Sequence, residues 1–194
     1  MKSNSNEYRK ELSPWNVKSS KIVLEDKWIK VRADECVTQD GTIISPYYVL
    51  EYSNWVHMVV VNEEGKVLIA EQYRHGAGKI SFELPCGTED QEDKEPLKTA
   101  QRELLEETGY SGKFELAGKV SPNPATHNNS VYIFLVTNPV KETEAQDDPT
   151  EIMNYTFMDV EDVYTLIDSG EFLQALHVSS LFIGLRLYHR KYAP

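Results

Sequence analysis

The sequence predicts an α/β protein of the α+β type, built on a mixed rather than an all-parallel sheet. The first third alternates β-branched and polar residues between turn signals, which reads as strands and hairpins. Helical periodicity then appears once in the middle of the chain and again at its end, so strands and helices interleave only after the hairpins are made. At 194 residues, 40% hydrophobic and 26% charged, the chain is long enough for one sizeable core and short for two full domains.

Residues 1–20 read as a polar N-terminal arm. From Lys21, "KIVLEDKWIKVRADECV" supplies strand, Asp40-Gly41 a turn, and "SPYYVLEYS" another strand, so residues 21–55 form an antiparallel segment. "VHMVVVNEEGKVLIAEQYR" is a clearer hairpin, with its turn at residues 63–65. After "SFELPCG" the period changes. Pro96 suits the first turn of a helix, Leu97, Ala100, Leu104 and Leu105 mark its buried stripe, and Gly109 closes it. "KFELAGKV" and "SVYIFLVTN" resume the sheet, the acidic loop "KETEAQDDPTEI" follows, and "NYTFMDV" is one more strand. A helix at residues 161–169 stopped by Gly170, and a longer one in "EFLQALHVSSLFIGLRLYHR", complete residues 56–194 as a single domain.

A net charge of −11 argues against nucleic acid and anionic membranes as partners, since both need basic patches. The two cysteines, Cys36 and Cys86, are too few and too far apart for a disulfide framework or a zinc cluster. No apolar run approaches the ~20 residues of a membrane span, and the polar N-terminus lacks the apolar centre of a secretory signal. The expectation is a cytoplasmic protein acting on a small molecule.

The stretch "QRELLEETGY" gathers Glu103, Glu106 and Glu107 on one side of the helix, at the rim of the leucine stripe. Like charges at that spacing weaken a helix, and they stand near its C-terminus, where the macrodipole disfavours them. A solvated acidic face is the plain reading. A hard divalent cation, Mg²⁺ or Mn²⁺, is the sharper one, because such ions take carboxylates and the carbonyls that a loop such as "LPCGTED" can offer.

"GTEDQEDKEPLKTAQRELLEETGY" resembles the Nudix box, G-x5-E-x7-R-E-U-x-E-E-x-G-U with U apolar. Arg102 to Tyr110 fit every fixed position. The first glutamate of the box falls on Asp93 counted from Gly87 and on Lys94 counted back from Arg102, so one residue has entered the loop. In the family that glutamate supports the helix arginine, a task open to Asp93. The flanking "VLIAEQYRHGAGKISFELPCG" and the leading strands resemble the ADP-ribose pyrophosphatase branch.

The resemblance implies a Nudix α/β/α sandwich with an N-terminal strand segment that makes a homodimer. It implies a Mg²⁺-dependent pyrophosphohydrolase of a nucleoside diphosphate sugar, ADP-ribose first and GDP-mannose or another hexose conjugate second. Nucleoside triphosphates, dinucleoside polyphosphates and a sensor without turnover are the alternatives. The metal ligands it implies are Glu103, Glu107 and the Cys86 carbonyl, with Glu106 a direct or water-mediated ligand and Arg102 orienting the carboxylates. Glu151 falls at the position of a further ligand and base, with Asp148 next. For substrate the candidates are Arg74 for a phosphate, Trp28, Tyr47 and Trp55 for a base, and Gly87 and Pro124 nearby. His57 and His177 read as packing residues.

Overall fold

A computed structural model describes residues 11–90, 92–145 and 152–192. The chain divides into two compact units, one holding the described residues up to 52 together with residues 123–128, the other the remainder. In the first unit β1 (Asn16–Glu25), β2 (Lys30–Val37) and β3 (Ile43–Leu50) form an antiparallel sheet in that order. The sheet therefore starts at Asn16 rather than at Lys21. Residues 16–20 show no apolar alternation, and their pairing with β2 is set instead by backbone register and by Ser20 donating to buried Asp34 at 2.6 Å. Every residue of β1 is exposed.

The second unit is a mixed sheet between helices. Its central path runs β10 (Met153–Met158), β5 (Val67–Arg74), β4 (Trp55–Val61), β9 (Val131–Lys141) and β8 (Tyr110–Val120), with β6 (Lys79–Glu83) on β5 and β7 (Cys86–Thr88) on β4. β4 and β9 are parallel, and every other pair in this unit is antiparallel. The β4–β5 hairpin turns where expected: the Asn62 side chain accepts the amides of Glu64 and Lys66, and Gly65 takes φ +77°.

Side-chain alternation on β4 and β9 assigns the two faces. Val56, Met58, Val60, Phe134 and Val136 pack with Ala100 and Leu104 of α1 (Pro96–Thr108). Val59, Val61, Ile133 and Leu135 pack on the other face with Val163 of α2 (Val160–Ser169) and with Leu181 and Leu185 of α3 (Ala175–Lys191). This is the α/β/α sandwich that the resemblance implied. α1 ends at Gly109, whose φ of +69° and amide bond to the Leu105 carbonyl are those of a left-handed cap.

Candidate active site

α1 buries Ala100 and Leu104 against the sheet, and this turns Glu103 and Glu107 along the helix edge. Both line a cavity of about 900 Å³ within the second unit, together with Trp55, Arg74, Cys86 and Gly87. Gly87 is what lets β7 come so close. A Cβ there would stand 2.2 Å from Glu103 Cγ, so only glycine leaves the carboxylate its place beside the loop. Burial holds the Glu103 carboxyl above the usual carboxylate range against the pull of Arg102, and the charge of Glu106 adds to the rise. Tyr155, on β10, donates to Glu107 Oε2 at 3.0 Å. No sequence signal pointed to that tyrosine.

Glu106 is not among the residues lining the cavity. It is half-buried and lies 3.1 Å from Arg102 Nη1, which is also 3.1 Å from Glu103. The other Arg102 nitrogen, Nη2, donates to Asp93 at 2.8 Å. Asp93 thus does the supporting work that the family gives to the displaced glutamate, and Arg102, held from below, sits between the two carboxylates it was expected to orient. Arg102 drives the Asp93 carboxyl down to about 2.

Arg74, at the end of β5, is solvent-exposed but pairs with the buried Glu83. Its Nε lies 2.9 and 3.1 Å from the two carboxylate oxygens and its Nη2 2.5 Å from one of them, while Glu83 is 1% exposed. Nη1 has no protein partner among the described residues, and the side chain borders the cavity. Glu83, Cys86 and His177 bring their donor atoms within 4.8 Å of one another. They make a poor metal centre. His177 Nδ1 accepts the Leu84 amide, so in the neutral ring the proton is on Nε2, which points at Glu83. Burial pushes the Cys86 thiol up, and the Arg74 cation already occupies Glu83. His57 and His177 stack at 4.2 Å inside the core, as packing residues should.

The remaining expectations divide. Trp55 lines the cavity. Trp28, Tyr47 and Pro124 belong to the first unit: Trp28 is 76% exposed in the β1–β2 turn, and the Tyr47 hydroxyl donates to the Ala125 carbonyl. Glu151 and Asp148 lie outside the described residues.

The sequence matches the NUDIX domain over residues 52–176 and the nucleoside diphosphate sugar hydrolase N-terminal domain over residues 15–50. It is 29% identical to an ADP-ribose pyrophosphatase of Bacillus subtilis (strain 168) over 129 residues, 66% of this chain and 69% of the relative. It is 31% identical to an ADP-ribose pyrophosphatase of Mycobacterium tuberculosis over 108 residues, 55% of this chain and 52% of that protein, so it spans about half of the relative's length. A crystal structure of an ADP compounds hydrolase superposes with a TM-score of 0.81 over 96% of this chain and all of its own, at 18% identity, which speaks for the fold alone. With the Nudix domain covering more than half of its length, the chain belongs to the Nudix family of hydrolases.

Proposed function

We propose that the chain is a Mg²⁺-dependent pyrophosphohydrolase of nucleoside diphosphate sugars, cleaving ADP-ribose to AMP and ribose 5-phosphate. The observation that carries this reading is one cavity with Glu103 and Glu107 on its wall and the Arg74 guanidinium on its border. The donors fit a hard divalent cation: two carboxylates on one cavity wall, one of them so close to Gly87 that a Cβ there would displace it. Glu103, Glu107 and the Cys86 carbonyl would hold Mg²⁺, or Mn²⁺ in its place, with Glu106 and Glu151 completing the set. When bound, the cation supplies charge neutralisation to the diphosphate and makes water a better nucleophile.

The chain's own residues do the rest. Arg74 offers Nη1, which has no partner among the described residues, to a phosphate oxygen, a charge-assisted contact suited to a diphosphate. Arg102 keeps Glu103 and Glu106 in fixed directions from its seat on Asp93. Glu151, or failing it Asp148, takes the proton of the attacking water on a carboxylate oxygen. Trp55 stacks on the base and Gly87 stands as a further substrate contact, each to be tested by substitution. Retention of Arg102, Glu103, Glu106 and Glu107 together supports an enzyme over a sensor.

Dimerisation through residues 21–55 is part of the proposal. Leu24, Ile43 and Tyr48 on β1 and β3 are all more than 40% exposed, apolar side chains that a second copy would cover. Among the described residues no helix is long and apolar enough to cross a membrane, and a cytoplasmic location is proposed with the rest. The test is a panel of nucleotide sugars, triphosphates and dinucleoside polyphosphates incubated with Mg²⁺, with products identified by mass spectrometry. ADP-ribose should give the highest kcat/KM. A clear preference for a hexose conjugate such as GDP-mannose would move the substrate, and turnover of triphosphates alone would end the nucleotide-sugar reading. A monomer by light scattering at micromolar concentration would remove the dimer.

A further inference from the structure

We propose that Glu83 is a positioning residue for substrate, holding Arg74 so that one edge of its guanidinium is fixed and the other is presented to an anionic diphosphate in the cavity. The inference deepens the functional reading above and rests on it. A free arginine on a cavity wall samples many rotamers, and ordering it on binding weakens affinity. Here that ordering is already done. Glu83 accepts from both Nε and Nη2 of Arg74, which leaves Nη1 as the nitrogen without a partner among the described residues. Arg74 thereby keeps Nη1 for an external anion.

Glu83 is in turn held from behind. Because the Leu84 amide donates to His177 Nδ1 at 3.2 Å, the His177 proton sits on Nε2, 3.4 Å from Glu83 Oε2. The His177 ring lies flat on His57, 4.2 Å away and 7° from parallel, and His57 Nδ1 is 2.9 Å from the Ser180 hydroxyl. β4, β6 and α3 therefore converge on one carboxylate. Burial pushes His177 down to about 3 and His57 well below its ordinary value, so both rings stay neutral and Arg74 is the cation that Glu83 faces. A buried carboxylate is tolerated only when paired in this way. Glu83 lies outside the box, and its partners are spread from residue 57 to residue 180, so no sequence motif assigns it.

The experiment is steady-state kinetics on ADP-ribose with Mg²⁺ for the parent, Glu83→Gln, Arg74→Lys and the double variant, with Mn²⁺ affinity measured by EPR alongside. Glu83→Gln should raise KM about tenfold with kcat within about threefold of the parent and Mn²⁺ affinity unchanged, and the double variant should be no worse than the poorer single one. Glu83→Asp keeps the charge but withdraws it by one methylene. It should fold and show an intermediate KM, which keeps the test open where Glu83→Gln fails to fold. A parental KM with only a lower melting temperature, or effects that multiply in the double variant, would overturn the positioning role. A parent that hydrolyses no nucleotide sugar would overturn the functional reading itself, and this inference with it.

Discussion

Gly87→Ala separates the site from the fold more cleanly than any loss of charge. The added Cβ would sit 2.2, 2.3 and 2.7 Å from Cγ, Cδ and Oε1 of Glu103. Ordinary contact begins more than about 3.4 Å apart, so something must move by roughly 1 Å or more, well beyond what a close-packed interior absorbs. The Gly87 backbone is not in a left-handed conformation, and the atoms it meets belong to a side chain rather than to backbone. Glu103 therefore swings away, and overpacking of about 1–3 kcal/mol is largely avoided. Catalysis has no such escape, because a displacement of ~1 Å at a reacting centre costs on the order of 10²-fold. The assay is kcat with saturating ADP-ribose, Mn²⁺ affinity by EPR, and melting by circular dichroism on the same preparation. The expected result is a parental melting curve with kcat down about a hundredfold and weaker Mn²⁺ binding. Parental kcat and Mn²⁺ affinity would refute the reasoning, since they would mean that the Glu103 carboxylate can leave its place at no cost.

Asp93→Asn breaks the bond that seats Arg102 and should lower kcat/KM by about 10–100-fold at pH 7, as losses of groups that orient ligands do. The same pair predicts a pH effect. Asp93 titrates near 2 when folded and near ~3.9 when unfolded, so its contribution to stability is complete above about pH 4 and is lost as pH falls toward 2. Across that window the parent's melting temperature should fall more steeply than that of Asp93→Asn; parallel curves would contradict the assignment. Tyr155→Phe removes the donor to Glu107 and should weaken Mn²⁺ binding by about 10–100-fold while costing only ~1 kcal/mol of stability. Unchanged Mn²⁺ affinity would sever the tyrosine from the site.

What the sequence revealed was whatever is written locally. The α1 stripe, its Gly109 cap, the β4–β5 hairpin and the carboxylate edge all follow from periodicity and turn chemistry within one element. The loop insertion left two registers for the supporting acid, and in the structure it is Asp93 that accepts from Arg102. Residues 16–20 looked like an arm because an exposed edge strand needs no apolar alternation, only a neighbour's backbone. Arg74 was legible as a cation near the box, yet its hold on Glu83 was not, and neither was the path from Glu83 to His177. Those pairs are joined by sheet register and by the packing of α3, which no short window contains. Tyr155 escaped for the same reason: β10 pairs with β5, and only that pairing carries its hydroxyl to Glu107.

The central claim is that the Glu103–Glu107 edge is where a diphosphate is cut. Its most direct test is the rate of AMP release from ADP-ribose by folded Glu107→Gln in Mg²⁺, set beside the parent. The account predicts a rate at or below about one hundredth of the parent's with an unchanged melting curve. AMP release at the parental rate would contradict it.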